Sequence, residues 1–400
     1  MWGNGFHSLN ITTHRRDTTK RDAFCSEFVQ DVYLSFLQKA FAAAGAVIRE
    51  NLRLGCGFGF MMSGTSMGAV FIYELITGGG LHAIDGAPEP SGSLLHEGMV
   101  MLSAIVADFA AIEGMEVTVL RDARLSPLDI AASHQIVVND SEEERTAFDQ
   151  AATATDATLV IAPEFAGLHL ERTRWAEQAG AALLSPGSDF VAIASNKWHT
   201  FQKWREAKVP TVDTFRIVDQ ASWRHLLELP VITKPVDGAG SEGVLSWNAG
   251  KEIDPALWED ETFLIQPKMC GDSISCSALG SDNGLSLLPA SIQRLDKDFK
   301  YLGGTLPLPS EMNERAHRLM SQAIRTLPPF RGYVGLDMIL GLCPEGTNDV
   351  AVDLNPRLTS SYVGLRRHLR DNLAQAMLDV VAGRPYQPNA GSSRVDFEVL

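Results

Sequence analysis

Two short strands near the end of the chain carry polar side chains where a core-facing strand would carry Val or Ile. In "AVDLNPRLTSSY", residues 351–362, Asp353, Asn355 and Arg357 are two residues apart, so in a strand their side chains point the same way. Asp337 lies in a second apolar run, "VGLDMIL". If the two strands pair, carboxylate and amide oxygens converge, and this donor set suits Mg²⁺ beside phosphates. The planar fork of Arg357 would then contact a phosphate or a developing oxyanion.

Two lysines lie where a cation is costly without an anionic partner. Lys234 lies within an apolar strand, "VITKP", and a buried ammonium group needs a counter-charge. Lys197 lies at the start of a predicted helix, whose dipole disfavours a cation, although an exposed helix lysine is the simpler interpretation of this residue taken alone. A phosphate bound near both lysines would account for the pair.

A glycine-rich segment, "KPVDGAGSEG", follows Lys234 and contains G-x-G-x-x-G at Gly238, Gly240 and Gly243. A dinucleotide-binding turn requires a helix after the glycines, whereas the next residues, "VLSW", predict a strand. A glycine-rich loop between strands is typical of a flap whose backbone N–H groups face phosphates; the alternative is a simple glycine hairpin. A protein kinase is a poor fit, because its lysine follows the loop and the H-R-D and D-F-G motifs are missing.

The elements that must position these residues are of two kinds. From residue 67 to about 190, strand-length apolar runs alternate with helical segments, which predicts a parallel sheet with right-handed crossovers, of Rossmann-like type. The later half begins with the helical segment "SNKWHTFQKWREAKVP", capped by Ser195 or Asn196. It continues as hairpin-rich α+β sequence, in which "GYVGLDMIL" and "DVAVDLN" are two strands joined by a turn.

The order of these motifs resembles that of the ATP-grasp superfamily over residues 67–385. A lysine at a helix start, "KP..G.GS.GV" from Lys234 to Val244, the segment "LIQPKMCGDSIS", an acid in a strand and "D-x-N-P-R" follow one another as they do there. The resemblance implies an α/β and α+β architecture, an ATP-grasp fold preceded by a Rossmann-like parallel-sheet domain. The implied divisions are a Rossmann-like domain (67–193), a small lid subdomain (194–265), a C-terminal catalytic subdomain (266–388) and a tail (389–400).

The same resemblance implies a role for each matching residue, with ATP and Mg²⁺ as cofactors and Mn²⁺ as an alternative ion. Members often have Glu where Gln266 stands and an acid where Ser273 stands, so Asp272 is the expected substitute at the ribose. The implied roles are phosphate contacts by Lys197 and Lys234, a flap of Gly238, Gly240, Ser241 and Gly243, nucleoside contacts by Gln266, Lys268, Met269, Asp272 and Ser273, metal ligation by Asp337, Asp353 and Asn355, and catalysis by Arg357 with Lys234.

Within the superfamily, four segments are most similar to the tyramine–glutamate ligases of methanofuran biosynthesis: "NPRLTSSYVGLR", "VFIYELITGGG", "EGMVMLSAIVADF" and "VIAPE". This resemblance implies an ATP-dependent ligase that joins a small-molecule carboxylate to an amine through an acyl phosphate. Glutamate with tyramine or a related amine is the implied pair, and another amino-acid substrate is the alternative. A nucleotide-binding protein without catalysis is a second hypothesis. A nicotinamide-dependent oxidoreductase would require a helix after Gly243.

Composition excludes several other classes. A formal net charge of −15 argues against a nucleic-acid or membrane-surface role. The sequence contains no run of about 18 apolar residues without charge, so it predicts no transmembrane helix. Five cysteines without a C-x-x-C pair indicate reduced thiols, so a cytoplasmic location is expected. The oligomeric state is unknown from the sequence.

Three further expectations concern segments outside these motifs. Residues 1–66, which include a predicted helix over 28–48, are expected to be an appendage, either poorly ordered or upstream of a natural start near Met67. The segment "QRLDKDFKYLGGTLPLP" around Tyr301 is either a mobile substrate loop or an ordinary linker. Ser360, Ser361 and Arg366 are candidates for binding a substrate carboxylate, although a surface position is equally expected for Arg366.

Overall fold

The computed structural model describes residues 68–399 of the 400-residue chain. The expected N-terminal extension, residues 1–66, lies outside this range together with its predicted helix. The predicted features from residue 68 onward can be compared with the structure directly.

The first domain is built on a five-stranded parallel sheet in the order β3-β2-β1-β4-β5. Its strands are β1 (Ala69–Glu74), β2 (Glu116–Asp122), β3 (His134–Val138), β4 (Ala157–Ile161) and β5 (Ala182–Leu183). The helices are α1 (Gly92–Ala110), α2 (Ser141–Ala154), α3 (Leu168–Ala179) and α4 (Ser188–Ala194). Strand β1 is central and residues 70–73 are fully buried, as expected of a parallel strand covered on both faces. The predicted Rossmann-like domain is confirmed.

Local sequence signals set the ends of these helices. Asp140 caps α2 by accepting hydrogen bonds from the N–H groups of Glu142 and Glu143. Helix α3 ends at Gly180, which has a φ of 79° that glycine adopts without strain. Strand β3 was not predicted from the sequence "HQIVV", because only Val138 is buried in this edge strand and the apolar alternation is incomplete.

The second sheet has four antiparallel strands in the order β6-β9-β7-β8. Helix α5 (Lys197–Glu206) precedes it, and the other elements are β6 (Phe215–Arg216), α6 (Gln220–Trp223), β7 (Val231–Pro235), β8 (Leu245–Trp247) and β9 (Phe263–Pro267). Asn196, rather than Ser195, caps α5 by accepting from the N–H of His199. Phe201 and Trp204 are buried on the inner face of this helix, as its spacing predicts.

The third sheet, in the C-terminal half, runs in the order β15-β14-β10-β12-β13-β16, and β11 also pairs with β10. Its strands are β10 (Asp272–Ser281), β11 (Gly284–Leu287), β12 (Ser291–Leu295), β13 (Tyr301–Leu306), β14 (Gly332–Leu340), β15 (Val350–Asn355) and β16 (Val395–Glu398). The helices are α7 (Ser310–Ile324), α8 (Tyr362–His368) and α9 (Leu373–Val381). Strands β14 and β15 pair antiparallel, and Asp337 lies opposite Asp353.

Strands β12 and β13 form a hairpin where the sequence suggested a mobile loop or a linker. Gln293 pairs with Gly304 across the hairpin, and β16 pairs with the outer side of β13. A Cβ atom at Gly303, which has a φ of 136°, would lie 2.1 Å from the carbonyl oxygen of Phe397. The two glycines of "YLGGT" therefore allow close strand contact and do not indicate flexibility.

Helix α1 is long and apolar enough to cross a membrane, judged by its length and hydropathy alone. In this structure its apolar side chains serve the protein core, because Leu102, Ile105 and Phe109 are fully buried and the helix packs on β1, β2, α8 and α9. At its C-terminal end Asp108 accepts hydrogen bonds from the hydroxyl of Tyr362 and the guanidinium of Arg366. Helix α1 is thus a core helix that joins the first domain to the third sheet.

Candidate active site

A cleft of about 410 Å³ lies between the second and third sheets. Strands β7 and β9 and the β7–β8 loop line it on one side, and β10, β12, β14 and β15 line the other. Glu97, on helix α1 of the first domain, also lines the cleft. Most of the residues that the sequence singled out line this cleft: Lys197, Lys234, Gly238, Gly240, Ser241, Gln266, Lys268, Met269, Ser273, Asp337, Asp353, Asn355 and Arg357.

Lys197 begins helix α5 and points toward two acceptors. Its Nζ donates a hydrogen bond to the carbonyl oxygen of Gly238 (2.8 Å) and lies 3.3 Å from an oxygen of Asp353. Only 12% of the side chain is exposed. The ammonium group of Lys197 therefore lies between the glycine loop and Asp353. These two acceptors offset the unfavourable interaction of a cation with the helix dipole.

Lys234 on β7 is 5% exposed and has no carboxylate within ion-pairing distance in the described part of the chain. Its Nζ donates to the carbonyl oxygen of Val352 at 3.3 Å. Burial lowers the pKa of Lys234 to about 8, and the positive charge of Lys197 adds to that shift, whereas Asp353 and Asp337 oppose it. A buried ammonium group of this kind is well placed to receive an anion.

Replacing Lys234 with methionine should stabilise the nucleotide-free protein while it removes nucleotide binding. The folded protein holds the Lys234 proton less tightly than the unfolded chain, since the pKa falls from 10.5 to about 8. Near pH 7 the wild type therefore carries the cost of a buried charge, which would lower the free energy of unfolding by about 3 kcal/mol. Chemical denaturation at pH 7 and titration with ATP measure the two effects.

The difference in stability between the wild type and Lys234→Met should depend on pH. Between about pH 8 and pH 10.5 the unfolded chain binds more protons at this lysine than the folded protein, so wild-type stability should rise relative to Lys234→Met as the pH increases. Lys251→Met, at an exposed position outside the cleft, is the matched control. A Lys234→Met protein that is less stable than wild type at pH 7 would contradict the argument.

The glycine loop between β7 and β8 lies over the cleft. Gly238, Gly240 and Ser241 line it and have φ values of 98°, 68° and 60°; for Ser241 this conformation is strained. Gly243 also has a positive φ but does not itself line the cleft, and a Cβ there would meet Pro235 at 2.8 Å. A strand follows the loop, as predicted, so the helix that a dinucleotide-binding turn requires is not present at this loop.

Three predicted metal ligands lie together on β14 and β15. Asp337 faces Asp353 across the strand pair, and the amide of Asn355 donates to Asp337 at 3.0 Å. Gln293 donates to the other oxygen of Asp337 at 2.9 Å. Burial, and next the negative charge of Asp353, raise the pKa of Asp337 to about 6. Two carboxylates that disfavour each other's charge in this way indicate a site suited to a cation.

Arg357 links this pair of strands to the first domain. Its Nε lies 2.9 Å from one oxygen of Glu164, and its Nη2 donates to the other at 3.2 Å. Nη2 also lies 3.4 Å from the amide oxygen of Asn355. Both members of the ion pair are buried, at 8% and 4% exposure. Glu164, just after β4, therefore holds the guanidinium beside the metal-ligand candidates.

Four of the predicted nucleoside contacts line the opposite part of the cleft. Gln266 on β9 is buried, and its amide donates to the hydroxyl of Thr214 at 2.7 Å. Lys268 lies 5.1 Å from the ring centre of Phe299. The others are Met269 and Ser273.

Asp272, the expected ribose acid, does not line the cleft. It is exposed at the start of β10, and adjacent residues of a strand point to opposite faces, so only Ser273 and Ser275 face inward. Arg366 is likewise placed elsewhere, because it forms an ion pair with Asp108. Ser360 and Ser361 do line the cleft.

Sequence reasoning missed several residues that line or support the cleft. Glu97 comes from a segment whose pattern predicted only a helix, Asp237 lies in the predicted glycine flap without a role of its own, and Gln293 and Tyr301 lie in the segment interpreted as a mobile substrate loop or a linker. Glu164 was quoted in the segment "VIAPE" without a role. Its position directly after a fully buried strand, where ligands commonly bind in α/β sheets, was the one signal that could have identified it.

Comparison with known proteins defines the class to which this fold and cleft belong. Residues 194–361 match the ATP-grasp domain family, and residues 115–193 match the pre ATP-grasp 3 domain family. The chain therefore belongs to the ATP-grasp superfamily, and the predicted fold is confirmed.

Three proteins illustrate the similarity. The tyramine–L-glutamate ligase of Methanocaldococcus jannaschii is 22% identical over 312 residues, which are 77% of this chain and 87% of that protein. A crystal structure of an ATP-grasp superfamily protein from Archaeoglobus fulgidus has a TM-score of 0.60 at 21% identity, covering 82% of this chain and 90% of that one. N5-carboxyaminoimidazole synthetase from Staphylococcus aureus, complexed with ADP, has a TM-score of 0.61 at 13% identity, covering 81% and 80%.

Proposed function

We propose that this protein is an ATP-dependent carboxylate–amine ligase that forms an amide through an acyl phosphate and releases ADP and phosphate. The observation that carries the proposal is the convergence, in one cleft beneath a glycine loop, of two lysines, two strand-borne aspartates and a buried arginine. This set combines anion binding with a cation site, which phosphoryl transfer requires. The similarity to a tyramine–L-glutamate ligase supports the class of reaction.

ATP would lie along the cleft with its base between the lid strands and the third sheet. In this arrangement Gln266, Lys268, Met269 and Ser273 contact the nucleoside. Lys197 and Lys234 contact the phosphates. Gly238, Gly240 and Ser241 lie over the phosphates and turn backbone N–H groups toward them.

The donor set on β14 and β15 fits Mg²⁺, with Mn²⁺ as an alternative. Mg²⁺ in ATP sites is commonly held by one or two carboxylates, with phosphate oxygens and water completing the shell. Asp337 and Asp353 supply two carboxylates and Asn355 an amide oxygen. Within residues 68–399 there is no group of three or more His, Cys, Asp or Glu side chains that would indicate a different metal. When bound, Mg²⁺ would neutralise phosphate charge and orient the terminal phosphate.

The chain's own residues account for the two chemical steps. In the first, a carboxylate oxygen of the donor attacks the γ-phosphorus of ATP, the bond to the β–γ bridging oxygen breaks, and ADP leaves. In the second, the amine nitrogen attacks the acyl carbonyl, phosphate leaves with the bridging oxygen, and the nitrogen loses a proton. Lys234 and Lys197 balance the phosphate charge, and Arg357 balances the charge that develops on the carbonyl oxygen. Catalysis by positioning and charge needs no covalent enzyme intermediate.

The substrate pair that we propose is glutamate with tyramine or a related amine. The name of the M. jannaschii relative, which this chain matches over most of both lengths, supports this pair. A different amino-acid carboxylate is the alternative within the same reaction class.

Purified protein should release ADP over many turnovers only when ATP, a carboxylate and an amine are all present. A matrix of amino acids, including glutamate, against amines, including tyramine and tyrosine, identifies the pair. Hydroxylamine in place of the amine should give a hydroxamate of the true carboxylate substrate, because it traps an acyl phosphate. Nucleotide binding without ADP release across the whole matrix would favour a non-catalytic nucleotide-binding protein instead.

A further inference from the structure

Two acids in the cleft lack the partners that the other acids have. Glu164 pairs with Arg357, Asp353 pairs with Lys197, and Asp337 accepts two amide hydrogen bonds. Within residues 68–399, by contrast, the carboxylates of Glu97 and Glu242 accept no hydrogen bond and form no ion pair. Both residues line the cleft and are only partly exposed.

These two acids come from different parts of the molecule and meet at the same end of the cleft. Glu97 lies on α1 of the first domain, and Glu242 lies in the glycine loop. Gly240 of that loop passes close to Glu97, since a Cβ built on it would lie 3.8 Å from Oε1. Burial raises the pKa of each carboxyl group; the charges of Arg357 and Lys300 lower that of Glu97, and the charge of Glu242 raises it. Within residues 68–399 neither carboxylate has a cation within ion-pairing distance, so both are available to a cationic ligand at this end of the cleft.

Tyr301 supplies a third polar group at this end and is an independent sign of a missing ligand. The side chain lines the cleft and is 8% exposed, yet its hydroxyl has no hydrogen-bond partner in the described part of the chain. Burial, and next the charge of Asp337, raise the pKa of Tyr301, and the charge of Glu97 adds to this shift. A buried hydroxyl is seldom left without a partner unless a ligand or water completes it.

We propose that Glu97, Glu242 and the hydroxyl of Tyr301 form the subsite that binds the ammonium group of the amine substrate. An ammonium group has three N–H donors and one positive charge. The subsite offers three separate acceptors, two of which are carboxylates, and one of these carboxylates takes a proton from the ammonium group before the nitrogen attacks the acyl carbonyl. This inference rests on the proposed ligase function and locates the binding site of its amine substrate.

The position of Arg357 is consistent with the direction from which the amine would arrive. Arg357 lies between Asn355, on the metal-ligand side, and Glu164, on the first-domain side. The phosphate leaves toward the lysines and aspartates, so the amine must approach the acyl carbonyl from another side. Glu97 on α1 belongs to the first-domain side. The glycine loop, which carries Glu242, would complete the subsite once it lies over ATP.

The test compares primary amines with the alcohols that match them, tyramine with tyrosol first, by calorimetric binding in the presence of ADP and Mg²⁺. The wild type should bind at least one amine about tenfold to a hundredfold more tightly than its alcohol, as expected for a charge-assisted contact. Glu97→Gln and Glu242→Gln should each remove most of that preference, whereas Glu97→Asp should keep part of it. Glu113→Gln, an exposed acid just beyond α1, is the matched control.

Steady-state kinetics separate this inference from the proposed function. Glu97→Gln should raise the KM for the amine and leave the KM for ATP within about twofold. A wild type that prefers no amine over its alcohol, or a Glu97→Gln protein with unchanged amine affinity, would overturn the subsite even if the ligase reaction is observed. Loss of Mg²⁺ affinity in place of amine affinity would also overturn it. Absence of ADP release with every substrate pair would instead count against the ligase function itself.

Discussion

Replacing Asp353 with asparagine is expected to reduce ATP turnover by roughly a thousandfold, or about 4 kcal/mol of transition-state stabilisation, without unfolding the protein. Asp353 faces Asp337 and is the only carboxylate, within residues 68–399, within 4.0 Å of Lys197. Its loss would leave the proposed Mg²⁺ site with one carboxylate. The rate of ADP release at saturating substrates measures the effect.

The folding control for Asp353→Asn follows from the electrostatics. Asp353 raises the pKa of Asp337 through repulsion, so neutralising it relieves an unfavourable interaction at neutral pH. The substitution also removes the mostly buried ion pair with Lys197 and the charge that favours the protonated form of Lys234, and these losses oppose the gain. The melting temperature should therefore change by only a few degrees. Asp129→Asn, at an exposed position in the first domain, should change neither property. Normal turnover by Asp353→Asn would remove the basis of the metal assignment.

Replacing Arg357 with methionine is expected to affect both stability and catalysis. The variant leaves Glu164 buried without its counter-charge, and breaking a buried ion pair in this way costs about 3–5 kcal/mol in the free energy of unfolding. It also removes the cation that we place beside the acyl carbonyl, so ADP release should fall by at least about a hundredfold. Urea denaturation and the ADP assay measure the two losses.

A second substitution separates the two roles of Arg357. In the double variant Arg357→Met with Glu164→Gln the remaining buried charge is removed, so most of the lost stability should return. Catalysis should not return, because the arginine is still absent. If the double variant regained activity along with stability, the arginine would be a structural link between domains and not a catalytic group.

Two ion pairs connect the first domain to the segment that follows β15, and Arg357 forms one of them. Arg357 pairs with Glu164, and Arg366 pairs with Asp108 at the end of α1. On the lid side, Asp237 accepts a hydrogen bond from the N–H of Ala166, a residue with a φ of 55°. The loop that follows β4 thus contacts both the arginine and the glycine loop, and the first domain contributes directly to the candidate active site.

The secondary structure near the site was largely predictable because local signals agree with the tertiary fold. Asn196 caps α5, Gly180 ends α3, and the apolar runs around Asp337 and Asp353 form paired strands as expected. Errors occurred where local pattern is ambiguous. The glycines of β13 suggested a loop, but they serve a close strand contact with β16.

The sequence by itself determined the chemistry that is available and the order of the elements that carry it. Polar residues in apolar strands, lysines at costly positions and glycines before a strand depend on local physics, so they can be recognised without coordinates. Only the tertiary structure decided which side chains share a cleft. Asp272 points away from the cleft because adjacent strand residues face opposite sides, and Arg366 forms an ion pair with Asp108 instead of lining the cleft. Glu97 and Tyr301 line the cleft from distant segments, and Glu164 pairs with its arginine. Such contacts depend on how the sheets pack against each other, which periodicity within one segment does not encode.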